Sequence, residues 1–185
     1  MNVIKTEFED LLILVPKVFE DSRGYVFESW RKDDFASIGI TCKFILETEN
    51  MSSHGVVCGL HWQVTPYTQA KLVHVISGSL LYVAVDIRKG SSTYGKHISV
   101  ELSGENKRQL FIPRGFAHGF VVLSQEAVFA CKSDSPNVPS AVRGMRMNDV
   151  TLGIDLQIPR DQWLLSDEDK QYPCFADIDP WDATE

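Results

Sequence analysis

The chain has 185 residues, an apolar fraction of 44% and a formal net charge of −7, enough for a packed core and contrary to disorder or to nucleic acid as the main partner. No apolar run approaches a membrane span, and Met1-Asn2-Val3-Ile4-Lys5-Thr6-Glu7 shows no signal-peptide pattern, so no membrane partner is expected. Cys42, Cys58, Cys131 and Cys174 are widely spaced with no C-x-x-C pair, which points to reduced thiols in a cytoplasmic protein and away from the usual zinc spacings.

In chain order, residues 11–19 read as a strand, with Pro16 marking an edge or a bend. Glu20-Asp21-Ser22-Arg23-Gly24 is a turn by composition, and a strand resumes over 25–30. Residues 31–38 form a short helix candidate with Asp33 and Asp34 in its first turn, where the helix dipole favours them. Strand patterns then recur at 44–47, 56–63, 70–76, 80–87, 97–102, 108–112, 118–123 and 127–132, separated by Gly- and Ser-rich turns. Many short strands at near-regular spacing predict an all-β sandwich or barrel of the jelly-roll kind. A short helix near 160–163 and an acidic tail close the chain. No repeat or linker interrupts it, so one domain spanning 1–185 is expected.

Period-2 alternation puts Lys71, Val73 and Val75 on one strand face, and His61 with Gln63 on another. A lone strand histidine is more often packed than catalytic. Here, however, Pro113-x-Gly115-x-x-His118 fits the second motif of cupin barrels. Metal cupins precede it with an H-x-H pair and a glutamate; this chain has His61-x-Gln63, and Lys71 in the glutamate slot. A divalent ion would lose a carboxylate and an imidazole and meet a cation, so no metal is expected. A lysine could instead stabilise an enolate oxygen while His61 removes a proton beside a carbonyl.

Longer segments carry a closer resemblance. They include Pro16-Lys17-Val18-Phe19-x-Asp21-x-Arg23-Gly24, Phe27-Glu28-Ser29, Gly59-Leu60-His61, Ala70-Lys71-Leu72-Val73, Glu105-Asn106-Lys107-Arg108-Gln109-Leu110, Ile112-Pro113-x-Gly115-Phe116-Ala117-His118 and Leu165-Ser166-x-x-Asp169. Through them the chain resembles the dTDP-4-dehydrorhamnose 3,5-epimerase family over nearly its whole length. The resemblance implies a cupin-like jelly-roll homodimer with N-terminal strands exchanged between subunits. It also implies cofactor-free epimerisation of a 4-keto sugar carried on a nucleoside diphosphate. By position, His61 is the base and Asp169 orients it. Lys71 and His118 line the sugar pocket, and Arg23 and Glu28 contact the nucleotide diphosphate across the dimer.

The departures from the family concentrate in the site. An arginine slot holds Cys58, the glutamine and asparagine contacts become Leu46 and Thr48, a base-stacking aromatic falls on Asn137, and the lysine before the dyad aspartate is Glu168. The tyrosine that donates a proton opposite the base is Cys131. Cys131 is then a candidate acid, although its sulfur lies nearer the backbone than a phenol oxygen and a small buried side chain is the plainer reading. These changes predict an epimerase of altered substrate or regiochemistry. The alternatives are a non-catalytic homologue that binds a sugar nucleotide or a partner enzyme, and, last, a 3,4-ketoisomerase.

Overall fold

The computed structural model describes residues 1–182. The last three residues of the acidic tail lie outside the described residues. In order the chain forms β1 (Asn2–Lys5), β2 (Leu12–Val15), β3 (Phe19–Asp21), β4 (Gly24–Val26), helix α1 (Lys32–Ser37), β5 (Leu46–Ser53), β6 (Val57–Gln63), β7 (Lys71–Ser77), β8 (Ser79–Asp86), β9 (His97–Ser103), β10 (Gln109–Ile112), β11 (Phe116–Val122), β12 (Glu126–Ser133) and β13 (Val142–Gly144). A six-stranded sheet, β1-β2-β10-β7-β12-β5, faces a five-stranded one, β13-β6-β11-β8-β9. This is the all-β, cupin-like jelly roll expected from the strand pattern.

Three apolar layers follow from alternation. Val73 and Val75 of β7, Phe129 and Cys131 of β12, and Leu80, Tyr82 and Ala84 of β8 meet between the sheets. The opposite faces of the same strands are also covered. Leu81, Val83 and Val85 pack beneath Met145, Met147, Leu152 and Leu156 of the C-terminal segment. Leu72 and Phe111 pack beneath Phe35 of α1 and Ile40. Strands buried on both faces read as continuous apolar runs, which is why β8 is apolar from Leu80 to Val85.

Several element boundaries differ from the sequence expectation. The strand over 11–19 stops at Val15, because Pro16 lacks the N–H that a ladder needs. Phe19–Asp21 pairs instead with Gly24–Val26 in a separate hairpin, which ends the second strand four residues early. β1 was missed; its alternation is weak, and only pairing with β2 defines it. β5 runs to Ser53 through polar residues, held by a continuous ladder to β12 that periodicity does not reveal. β13 was also missed, being a three-residue edge on β6. The helix expected near 160–163 is a 3-10 turn, Arg160–Gln162.

Candidate active site

The site is built on β6, where a bulge aims His61. His118 of β11 stands opposite His61, but Phe120 stands opposite Cys58, so the register shifts at Gly59. Gly59 adopts φ +105°, and a Cβ there would come within 2.8 Å of the His118 carbonyl oxygen and 2.9 Å of Gly119 Cα. Both the backbone conformation and the close approach require glycine. Gly59→Ala is expected to destabilise the fold by roughly 2 kcal/mol or more, measured by urea unfolding; a loss below about 0.5 kcal/mol would show that the bulge relaxes freely.

His61 is partly exposed, and its Nε2 lies 2.7 Å from Asp169 Oδ1. The same oxygen accepts from the Gly59 N–H at 3.3 Å, and Ser166 donates to Oδ2 at 2.8 Å. Asp169 is thus held by three donors, two from β6 and one from its own segment. Burial opposes its ionisation, but the hydrogen bonds from His61, Ser166 and Gly59 outweigh that and lower its pKa. With Nε2 engaged by Asp169, the other nitrogen of His61, Nδ1, faces Cys58 Sγ at 4.0 Å. Burial alone would lower the imidazole pKa, yet Asp169 and the Cys58 sulfur raise it to about 9.

Lys71 opens β7, and its Nζ donates to Ser133 Oγ at 3.0 Å across the β7–β12 pair. No bulge interrupts residues 71–75 of this pairing, so Lys71 shares the inward face of Val73 and Val75. His118 faces inward from β11. Its Nδ1 is closed off from solvent and makes no hydrogen bond, leaving Nε2 as the nitrogen able to reach the interior. Burial and then the Lys71 and His61 charges push its pKa down to about 3, so His118 is a neutral imidazole. Gln63 does not belong to this group. Its amide donates to the Tyr67 and Pro136 carbonyls and accepts from the Val138 N–H, pinning the loop that follows β12.

Cys131 faces the core opposite Val73, and burial raises its thiol pKa. Arg23 and Glu28 do not join the dyad. Arg23 is exposed at the hairpin tip and pairs with Asp21. Glu28 pairs with Arg31 beside a separate cleft of about 450 Å³ that Lys17, Phe19 and Phe27 also line. Sequence reasoning missed Tyr172, whose ring stands edge-on to His61 at 5.3 Å and whose hydroxyl donates to Glu168 at 2.8 Å. It also passed over the Ser166 support, although Ser166-x-x-Asp169 carries the cap-like spacing that could have found it. Among the described residues no three His, Cys, Asp or Glu side chains converge to hold a metal ion. No helix among them is long and apolar enough to cross a membrane.

Residues 5–177 match the family model described as dTDP-4-dehydrorhamnose 3,5-epimerase. The chain is 46% identical to the protein of that name from Shigella flexneri, over 97% of this chain and 98% of the relative. A crystal structure of the Legionella pneumophila dTDP-6-deoxy-D-glucose-3,5-epimerase in complex with dTDP-4-keto-L-rhamnose superposes with a TM-score of 0.92 at 42% identity, covering 96% of this chain and 94% of that one. A 3'-monoepimerase from Streptomyces bikiniensis, in complex with dTDP-quinovose, superposes at 0.85 with 27% identity, over 92% and 86% of the two chains.

Proposed function

The chain belongs to the dTDP-4-dehydrorhamnose 3,5-epimerase family, and from that premise we propose that it is a cofactor-independent epimerase of a nucleotide-linked 4-keto-6-deoxy sugar. The observation that carries the reading is the His61–Asp169 pair, 2.7 Å apart, with Nδ1 turned away from Asp169. Asp169 holds the Nε2 proton, so the lone pair of Nδ1 is the one available to a C–H bond beside the sugar carbonyl. Removing that proton moves charge onto the carbonyl oxygen. Lys71 supplies a fixed cation for it, and neutral His118 supplies an N–H. The relatives include both a 3,5-epimerase and a monoepimerase, and the changes at Cys58 and Cys131 support an altered substrate or an inversion restricted to carbon 3 or carbon 5.

Incubation with dTDP-4-keto-6-deoxyglucose in deuterated water tests this by proton NMR. Deuterium is expected at carbon 3, carbon 5 or both; no exchange with several nucleotide carriers would sink the reading. The same measurement separates it from a non-catalytic homologue, which the thiol in place of the acid phenol favours.

The proposal extends to a cytoplasmic homodimer with exchanged N-terminal strands. Arg23 lies far out on its hairpin in one chain, and a second subunit would bring it to the diphosphate. Arg23→Ala is expected to raise KM for the nucleotide sugar about tenfold, one lost charge-assisted contact, with kcat little changed. An unchanged KM would remove Arg23 from the site.

A further inference from the structure

Tyr82 is a buried ionisable side chain that the reading above leaves without a role. It lies on the inward face of β8 with Leu80 and Ala84, in the same core as Cys131 of the opposing sheet. Across the β8–β11 pair Tyr82 stands opposite Phe120, and Ala84 opposite His118. On the other flank of β11, Cys58 stands opposite Phe120 and His61 opposite His118. The inner surface therefore carries two neighbouring rows, His61–His118–Ala84 and Cys58–Phe120–Tyr82. The Tyr82 ring lies nearly parallel to the His118 imidazole, with centroids 6.2 Å apart and planes at 11°.

Two further observations bear on chemistry. Among the described residues the Tyr82 hydroxyl makes no hydrogen bond, and it is not one of the unpartnered polar atoms that are closed off from solvent. β6 and β8 flank β11 on opposite sides, two strand spacings or about 10 Å apart. A sugar ring held over His118 would present one face to His61 and the other to Tyr82. Burial, with Cys131 and Cys58 nearby, raises the phenol pKa and keeps its proton in place until a carbanionic centre forms.

Resting on the epimerase reading, we propose that Tyr82 is the proton donor opposite His61, supplying from β8 the phenol that Cys131 on β12 does not carry. His61 Nδ1 takes the proton of the C–H bond, and the electron pair moves into the enolate. The enolate carbon then forms a new C–H bond with the Tyr82 hydroxyl proton on the opposite face. Water returns a proton to the phenolate and receives the one on His61, and nothing is oxidised or reduced.

Tyr82→Phe keeps the ring and its stacking on His118 while removing the proton. In deuterated water with dTDP-4-keto-6-deoxyglucose, formation of the inverted product is expected to fall about 10²- to 10⁴-fold. Deuterium should still enter recovered substrate of unchanged configuration, because His61 is intact, and the melting temperature should stay near that of the parent. Adding Cys131→Tyr to Tyr82→Phe returns a phenol to the barrel from β12 and is expected to regain inversion. Inversion by Tyr82→Phe at the parental rate would overturn the proposal, as would its loss on Cys131→Ser alone. Failure of the epimerase reading looks different: the parent protein itself would exchange no deuterium, and the proposal would fall with it.

Discussion

His61→Asn is expected to lower kcat for sugar epimerisation by about 10³- to 10⁴-fold and to leave KM little changed. Asparagine keeps a polar group beside Asp169, so the folded site should persist, but no lone pair of suitable basicity remains at the Nδ1 position. The measurement is deuterium exchange at carbons 3 and 5 under single-turnover conditions. Exchange by the variant within tenfold of the parent would assign proton abstraction to another group. Asp169→Asn tests the other half of the pair. It keeps an oxygen near Nε2 but removes the carboxylate charge that favours the imidazolium, so both the rate and the pKa of His61 should fall.

The second large effect is on pH. His61 acts as a base only when neutral, and its pKa is raised to about 9. At pH 7 only about one molecule in a hundred would carry the free base, and kcat/KM should climb about tenfold per pH unit before levelling near pH 9. Asp169 is the first cause of this upward shift, and the Cys58 sulfur, 4.0 Å from Nδ1, adds to it. Cys58→Arg would place a cation there and is expected to move the rising limb of the profile down by about one unit or more. A profile that levels at or below pH 7 in the parent would refute the raised pKa.

Stability carries the same signature with a defined sign. The folded imidazole pKa lies above its ordinary value of 6.5, so its contribution is fully present below about pH 6.5 and is lost as pH rises through about 9. The lowered Asp169 pKa contributes above the ordinary carboxylate range and is lost on acidification. Asp169→Asn should therefore reduce the melting temperature at pH 7 more than at pH 10.

Much of this was legible in the residues, and for local reasons. Alternation of apolar side chains sets which strand face is buried, so β6 to β12 could be read within a few residues. Motif spacing placed His61, Lys71 and His118 in the lining of a barrel, and the family resemblance, through Leu165-Ser166-x-x-Asp169, pointed to Asp169 as the carboxylate. The sequence also marked Cys58 and Cys131 as departures before any geometry was known. None of that reasoning found β1, β13 or the far half of β5, because β1 and β5 are edge strands with largely solvated faces that carry no period of their own, and β13 is only three residues long.

What only the tertiary structure decided is the geometry in which distant groups meet. The resemblance paired Asp169 with His61 from 108 residues away; the fold sets the contact at 2.7 Å, through Nε2, and turns Nδ1 toward the Cys58 sulfur. Gln63, on the same strand as His61, is spent on holding a loop. Tyr82 lay unnoticed in an apolar run, since a strand covered on both faces shows no alternation to single out its inward residues. Its place beside His118 depends on the register of β6, β11 and β8. Periodicity acts over two or four residues, whereas register is set by packing across the whole barrel. The sequence therefore carried the barrel and, through the family resemblance, the expectation that His61 works with Asp169; the contacts those residues make, and the place of Tyr82 on the inner face, follow from how the sheets align.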